Sequence, residues 1–580
     1  MPDRRGVLRV VSGAVGPAVV LAGAFLLAPP LGTDLSAQVA RADFFGRHGP
    51  APLDLGWYGG VAPYGYSLVT PPLMHWLGGG TLGPRLLGAL ALVVSAAALA
   101  LLMLRTGARR PLLGGLLGAA CVAGNLVSGR ITYAVGVAFG LLALLALTIG
   151  TDRPTWRRAT AGLAAVLAGA ASPVAGLFVT LAGTALLCKE GPPLIAFCRR
   201  RAPAKHLGPA ARRGILDGLV LVVGAGVPTA GLGLAFGAGG WMNISLADTL
   251  TAMLASALVV AVVPRPVLRI AAGLATLGVL LAFAVRTPVG LNATRLAAMF
   301  AVPVLAGYGT LPAGLVARWS RRRAGFALAA VVALAAVVEP PVSVPDLRAA
   351  GDPTASRGYF TPLLAELGRR PPGRIEVVPT ANYWEAAYVP EAAPLARGWL
   401  RQADQAHHRL FLDGSVDAES YGRWLRENGV RYVALAGAEP SWVGRREAEL
   451  IRGGLTYLTP IWQHPDWTLY AVNGTPSVVE TIGSDAGADG GDPPDVVAGP
   501  GAGERGVDLT RATSAELTVD VRNDGAEVLV RLRWSRWLRV DGPAGACLAP
   551  YGDWTVLRVA QAGRYSVTGS LTGAGPRCPD

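Results

Sequence analysis

A succession of about eleven apolar stretches fills roughly the first 340 residues, and each is near the length of about 20 residues that crosses a bilayer as a helix. They lie at 7–28, 86–104, 112–128, 131–150, 159–171, 174–188, 215–238, 249–263, 270–285, 296–314 and 324–338. Charged residues make up only 16% of the chain, against about 25% in typical soluble domains. The sequence therefore predicts a polytopic α-helical membrane protein.

The connectors between these stretches alternate in charge. On one side, the N-terminus and connectors carry about 22 Lys and Arg residues, and on the other side about six, so the positive-inside rule places the N-terminus in the cytoplasm. The predicted location is the plasma membrane, with the C-terminal region extracytoplasmic. Basic runs flank both ends of residues 159–188. A single span would put one of these runs on the outer side, so the charge asymmetry is kept only if the stretch forms a helical hairpin. Pro173 disfavours helix at Ser172, so we predict the break there.

The remaining residues have the composition of soluble domains. We predict a transmembrane domain at 1–338 and an extracytoplasmic α/β domain at 339–480. A flexible linker rich in Gly, Asp and Pro follows at 481–505, and alternating apolar residues predict a β-sandwich at 506–580. The net charge of +14 lies mainly in the connectors, without a basic stripe interleaved with aromatic residues. This distribution argues against nucleic-acid binding.

The five cysteines match no metal-binding spacing. Cys547 and Cys578 both lie in the terminal region that we place outside the cytoplasm, where disulfides persist. A disulfide between them and two separate thiols are both consistent with the sequence.

The connector at 30–80 is the strongest candidate for a functional loop, since about 50 residues is far more than a simple connection needs. Asp34 lies directly beyond the first apolar stretch, and a carboxylate there could act as a general base. Asp43 is the second candidate. The alternative for Asp34 is a structural one, because Thr33-Asp34 precedes a helical pattern and Asp is a favoured helix cap.

The same loop also offers groups that contact substrates. His48, Tyr64 and Tyr66 combine hydrogen-bonding atoms with flat rings, and we predict them as substrate-binding residues. Trp384, Trp399 and Trp424, in the extracytoplasmic region, could stack on sugar rings or pack in a core.

A second connector predicts a phosphate site. Arg286 and Arg295 flank a turn that contains Asn292, and guanidinium groups bind phosphate oxygens in pairs. Arg130, in a tight turn between two stretches, could reach the same space. Arginines that anchor helix ends at the membrane surface are the alternative reading.

Several motifs are absent from the sequence. It has no GxxxxGK[ST] phosphate loop, no HExxH zinc motif and no GxSxG nucleophile elbow in a strand–turn–helix setting. The apolar stretches carry almost no ionisable residues, whereas ion-coupled transporters place such groups at mid-membrane. The near absence of ionisable residues from the apolar stretches disfavours an ion-coupled transporter.

The pattern resembles the GT-C superfamily of membrane glycosyltransferases that use polyprenyl-phosphate sugars. The likeness covers roughly residues 1–475, and within it the chain is most similar to actinobacterial membrane proteins labelled as related to 6-pyruvoyl-tetrahydropterin synthase. It rests on the acidic residue after the first span and on short segments of sequence. These are YGYSLVTPPL at 64–73, Ser172-Pro173, GLNATR at 290–295, WEA at 384–386, LARGW at 395–399 and ENGVRYV at 427–433.

The resemblance implies transfer of a sugar from a polyprenyl-phosphate donor to a cell-envelope acceptor on the outer face. It implies that Asp34 or Asp43 deprotonates the acceptor hydroxyl and that Arg130, Arg286, Asn292 and Arg295 bind the donor phosphate. The expected partners are the lipid-linked donor, a glycan or envelope acceptor and the bilayer. No cofactor is predicted, and a divalent metal is not inferred. A flippase for a lipid-linked precursor and a non-catalytic envelope scaffold remain as alternatives.

Overall fold

The computed structural model divides the chain into two compact units, Met1–Gln38 with Tyr64–Ala350, and Val39–Pro63 with Gly351–Asp580. It describes residues 4–150, 154–191, 208–237, 240–312, 314, 317, 319–482, 506–572 and 575–579. The first unit is helical, and the second combines helices with three β-sheets.

Thirteen of the first unit's described helices have more than five residues. They are α1 (Arg4–Leu27), α2 (Leu35–His48, which ends in the second unit), α3 (Thr70–Trp76), α4 (Leu82–Arg105), α5 (Pro111–Val127), α6 (Ile131–Thr148), α7 (Pro154–Ala171), α8 (Pro173–Lys189), α9 (Pro209–Phe236), α10 (Leu246–Val262), α11 (Pro266–Ala284), α12 (Arg295–Tyr308) and α13 (Arg321–Val338). The described part of the unit also contains the short helix α14 (Val344–Arg348) and 3-10 turns at Pro63–Gly65 and Gly290–Thr294.

A described helix overlaps each of the predicted apolar stretches, and these helices differ in length. Six segments of the described chain are long and apolar enough to cross a membrane: α1, α4, α6, α9, α11 and Gly290–Tyr308. The helices α5, α8 and α10 are apolar but shorter. The fold is thus that of a helical membrane protein, and the count of eleven crossings stays a prediction.

The predicted break in 159–188 is confirmed. Helix α7 ends at Ala171, and α8 starts at Pro173, where a missing N–H costs nothing at the first helical position. Ser172 between them is extended, and its hydroxyl accepts a hydrogen bond from the Ala175 N–H at 3.5 Å. Near the start of α7, Arg157 and Arg158 both bind the buried Asp217 of α9 at 2.8 Å.

The second unit contains a mixed sheet with the order β1-β2-β4-β3. Its strands are β1 (Arg374–Val377), β2 (Val430–Ala436), β3 (Leu458–His464) and β4 (Trp467–Val472). The accompanying helices are α15 (Arg357–Leu367), α16 (Glu385–Tyr388), α17 (Arg401–His407), α18 (Arg409–Leu412), α19 (Ala418–Glu427) and α20 (Arg445–Arg452), with 3-10 turns at Pro353–Ala355 and Val389–Glu391. Only β1 and β2 run parallel.

A buried charge cluster joins this sheet to its helices. The Arg397 guanidinium, 6% exposed, binds both Glu376 of β1 and Glu447 of α20. It lies 3.8 Å from the centre of the Phe411 ring, and the Tyr421 hydroxyl donates to Glu447 at 2.8 Å. Two carboxyls thus share one cation, and burial raises the pKa of Glu376 to about 8.

The terminal region has two antiparallel sheets, with the orders β10-β11-β8-β5 and β6-β7-β12-β9. The strands are β5 (Val479–Thr481), β6 (Val507–Ala512), β7 (Glu516–Val521), β8 (Glu527–Val530), β9 (Leu538–Asp541), β10 (Cys547–Tyr551), β11 (Trp554–Arg558) and β12 (Gly563–Gly569). One apolar cluster draws residues from both sheets, including Val519 and Val530. Strand β5 includes the last two residues of the predicted 339–480 domain and the first residue of the predicted linker, so the terminal sheets contain chain from before residue 506. Residues 483–505 lie outside the described residues.

A disulfide joins Cys547 and Cys578, which the sequence left undecided. It closes a loop with a sequence separation of 31 residues. In the chain-entropy model a loop of this size contributes about 3–4 kcal/mol, because it restricts the unfolded chain. We expect Cys547→Ser to lower the unfolding temperature of the terminal sheets, measured on the full chain by differential scanning calorimetry.

The exposed thiol of Cys188 provides the control. Cys188→Ser should leave this transition in place, and a reducing agent should lower it in the wild-type protein but not further in Cys547→Ser. An unchanged transition in Cys547→Ser would show that the disulfide contributes no stability.

Candidate functional site

Two glycine turns of the first unit pack backbone against backbone and fix the candidate site. Gly32 and Gly129 have φ values of 83° and 73°, a region that favours glycine. A Cβ on Gly32 would lie 2.2 Å from the Ser128 carbonyl carbon. The Asp34 N–H donates to the Ser128 oxygen at 3.3 Å. This contact places Asp34 beside the turn that carries Arg130.

Asp34 and Arg130 form an ion pair at this turn. A carboxylate oxygen of Asp34 lies 3.7 Å from the Nε of Arg130, and the Thr33 hydroxyl donates to the carboxylate at 3.5 Å. The side chain of Asp34 is 12% exposed and that of Arg130 is 33% exposed. Asp34 directly precedes α2, which starts at Leu35, so the capping role and the general-base role considered from the sequence both stay predictions.

Arg295, the first residue of α12, joins the same cluster. Its guanidinium carbon lies 5.2 Å from the centre of the Tyr133 ring, and it interacts electrostatically with Asp34, Arg130 and Tyr66. Of the residues proposed from the sequence, the structure therefore brings Asp34, Arg130, Arg295 and Tyr66 together.

A hydrogen-bond network connects Tyr66 to the helices of this cluster. Gln38 of α2 donates to the Tyr66 hydroxyl at 3.4 Å, and its carbonyl accepts from Thr132 of α6 at 2.6 Å. The Thr132 hydroxyl is 3.1 Å from that of Thr70, which donates to Ser67 at 2.8 Å. We did not single out Gln38, Thr132 or Thr70 from the sequence. The one sequence signal that could have indicated them is a polar residue near the start of a helix.

An apolar cavity of about 220 Å³ lies within the helices of the first unit. It is lined by α4, α6, α8, α10, α11 and α12, and its lining includes Leu296, directly after Arg295. Phe178 also lines it, and packs edge-on against Tyr133 with ring centres 6.2 Å apart. At Tyr308 the lining reaches the far end of α12. The charged cluster therefore adjoins an apolar cavity that extends along several turns of α12.

The other arginine loop has different contacts. Arg286 is exposed and lies over the ring of Trp241, with the guanidinium carbon 5.0 Å from the ring centre. Asn292 is buried, and its amide nitrogen lies 3.2 Å from the sulfur of Met242. In the described chain neither residue contacts Asp34, so Arg295 alone joins this loop to the cluster.

Three further candidates have other neighbours. Tyr64 is buried and packs edge-on against Phe236, with ring centres 5.3 Å apart. Asp43 and His48 belong to the second unit, unlike Asp34. Asp43 interacts electrostatically with Arg357. His48 packs on Phe44 at 5.1 Å, and its pKa is lowered by burial and by the neighbouring Arg47 charge.

The tryptophans considered as sugar-stacking residues are mainly core residues. Trp384 and Trp424 are 2% and 4% exposed, and the Trp424 N–H donates to the His408 Nδ1 at 2.9 Å. Trp399 is half-buried. Among the residues that the structure describes, no group of three or more His, Cys, Asp and Glu could hold a metal ion.

Comparison with known proteins finds likeness at the level of structure only. No family model matches, and no curated protein matches in sequence. The chain is similar to cryo-EM structures of arabinofuranosyltransferase AftD from Mycobacteria. For one structure, of a mutant form of AftD, the TM-score is 0.46, with 16% sequence identity over 97% of this chain. In another the score is 0.44 at 18% identity over 80%. The chain spans 60% and 40% of the length of these two neighbours.

Proposed function

We propose that this protein is a membrane glycosyltransferase that moves a sugar from a polyprenyl-phosphate donor to a cell-envelope acceptor. The observation that supports it best is the cluster of Asp34, Arg130 and Arg295 beside an apolar cavity. A lipid-linked sugar has matching parts: an apolar tail, an anionic phosphate and an uncharged sugar. The cavity suits the tail, the guanidinium groups suit the phosphate, and the carboxylate is available for the acceptor.

The proposed step is an inverting displacement at the anomeric carbon of the sugar. The acceptor oxygen forms a bond to this carbon while its proton passes to the Asp34 carboxylate. The bond between the anomeric carbon and the phosphate oxygen breaks, and both its electrons leave with the polyprenyl phosphate. Arg130 and Arg295 stabilise the charge that develops on the phosphate, an electrostatic contribution that is large in sites shielded from water.

The other sequence candidates enter this proposal with smaller roles. Tyr66, held by Gln38, would contact the sugar. On the strength of the sequence, Asp43 remains the second candidate base, His48 and Tyr64 remain proposed substrate contacts, and Arg286 and Asn292 remain proposed donor contacts.

The proposal keeps the predicted domain boundaries and orientation. It includes eleven membrane crossings, a cytoplasmic N-terminus and an extracytoplasmic 339–480 domain followed by a β-sandwich. Asp34 then faces the outer compartment, where a cell-envelope acceptor lies. This orientation is supported by the unequal numbers of basic residues in the connectors.

Purified protein in lipid nanodiscs tests the proposal directly. We expect a labelled polyprenyl-phosphate sugar to be consumed, with label appearing in an envelope glycan acceptor and free polyprenyl phosphate released in equal amount. Heat-denatured protein in identical nanodiscs is the control. If the labelled donor crosses the bilayer with its sugar still attached and no transfer occurs, the protein is a flippase and the proposal is wrong.

A further inference from the structure

The hydroxyl of Tyr133 is buried without a hydrogen-bond partner in the described chain. The residue lies in the first turn of α6 and is 3% exposed. An unpaired buried polar group destabilises the folded state, and it calls for an explanation such as a ligand that completes the bond. The ring itself is well packed, between Arg295 and Phe178.

A second unsatisfied donor lies in the same cluster. The Nε of Arg130 is buried and has no hydrogen-bond partner, since Asp34 is 3.7 Å away, beyond hydrogen-bond distance. The Tyr133 hydroxyl interacts electrostatically with the guanidinium groups of both Arg130 and Arg295. Arg130 is also the N-cap of α6 and provides no side-chain acceptor there. The uncapped first turn adds its positive dipole end to these donors.

The net charge of the cluster balances the charge of the lipid phosphate both before and after the proposed transfer. Two guanidinium groups and one carboxylate sum to one positive charge, which balances the single negative charge of a phosphodiester donor. After transfer, Asp34 carries a proton and the cluster holds two positive charges. The released polyprenyl phosphate is a monoester, whose charge at neutral pH is about −1.5 to −2.

We propose that the Tyr133 hydroxyl donates a hydrogen bond to the phosphate of the lipid-linked donor, together with the Nε–H of Arg130. Tyr133 contacts Arg295 on one side and the cavity residue Phe178 on the other, so it lies where the phosphate meets the apolar tail. This role rests on the proposed function, but phosphate binding can be measured without sugar transfer.

Farnesyl phosphate, a short lipid phosphate, is the probe for this site. Tyr133→Phe removes only the hydroxyl and keeps the ring that packs on Arg295. We expect it to bind farnesyl phosphate about 10- to 100-fold more weakly than the wild type, the range for a hydrogen bond to a charged group. Farnesol, which lacks the phosphate, should bind both proteins equally. Microscale thermophoresis of the full chain in nanodiscs measures both affinities.

The controls separate this role from a structural one. Tyr432→Phe removes a hydroxyl that donates to Pro371 at 3.0 Å in the second unit, and farnesyl phosphate affinity should not change. The unfolding temperature of Tyr133→Phe should equal or exceed that of the wild type, because the lost hydroxyl had no partner. Should this variant fail to fold, 3-fluorotyrosine at position 133 replaces it. Its more acidic hydroxyl should tighten farnesyl phosphate binding without affecting farnesol.

The outcomes distinguish this inference from the proposed function. Equal affinity of wild type and Tyr133→Phe for farnesyl phosphate overturns it, as does inorganic phosphate that binds as tightly as farnesyl phosphate. Tyr133-dependent binding of farnesyl phosphate without sugar transfer supports the phosphate site and contradicts the transferase proposal alone.

Discussion

Replacement of Asp34 by asparagine is expected to lower the rate of sugar transfer by roughly 10²–10⁴-fold, the usual contribution of a positioned general base. The change keeps the size of the side chain and its capacity to accept the hydrogen bond of Thr33. It removes the capacity to take the acceptor proton. Initial rates with a labelled polyprenyl-phosphate sugar at saturating donor and acceptor would measure the loss.

Asp43 provides the matched comparison, since it was the second acidic candidate of the same loop. Asp43→Asn should retain most of the transfer rate, because Asp43 interacts electrostatically with Arg357, whereas Asp34 pairs with Arg130 of the proposed phosphate site. Binding of farnesyl phosphate to Asp34→Asn should be at least as tight as to the wild type, because a negative charge has been removed beside the phosphate. Full activity in Asp34→Asn together with an inactive Asp43→Asn would assign the base to Asp43.

The helices could be predicted from the sequence because a membrane selects for one simple property, a sufficient length of apolar residues. The predicted stretch 131–150 corresponds to α6 at Ile131–Thr148, and the break at Ser172 follows from proline chemistry. The number of membrane crossings is harder to predict. Helices α7 and α13 carry arginines near their first residues, and neither is among the segments that are long and apolar enough to cross a membrane.

The site could be predicted only in part. Asp34, Arg130 and Arg295 stand out because charges at the ends of apolar helices are conspicuous in any sequence. The pairing of Gln38 with Thr132 joins residues 94 positions apart, and no local pattern indicates it. Tyr133 resembles any aromatic residue at a membrane surface until the structure shows that its hydroxyl has no partner. The roles of Arg130 and Tyr133 therefore depend on packing between distant helices.

Arg397 lies in the LARGW segment that contributed to the family resemblance, and its structural setting is a buried cation between two acids. We expect Arg397→Leu to destabilise the second unit by about 3–5 kcal/mol, because removal of one partner leaves buried carboxyls without their cation. The lost contact with Phe411 adds to this cost. Hydrogen exchange of the β2 amides in the full-length protein would report the change in opening free energy.

An exposed arginine of the same unit provides the control. Arg423 pairs with Glu419 along α19, and the two side chains are 57% and 83% exposed. Pairs of this kind contribute about 0.3–0.5 kcal/mol, so Arg423→Leu should scarcely change the exchange of β2. An equal effect of the two substitutions would show that the loss of an arginine, and not its burial between two acids, causes the instability.

The pH dependence identifies the physical cause. In the folded protein the pKa of Glu376 is raised from 4.5 to about 8, mainly by burial. A raised pKa means that the folded state binds a proton more tightly than the unfolded state, so stability falls as pH rises from about 4.5 to about 8. Without Arg397 the pKa of Glu376 rises further, and the stability of Arg397→Leu should fall more steeply over this window than that of the wild type. A deficit that is the same at pH 5 and pH 8 would assign the effect to lost packing against Phe411 and not to the buried charges.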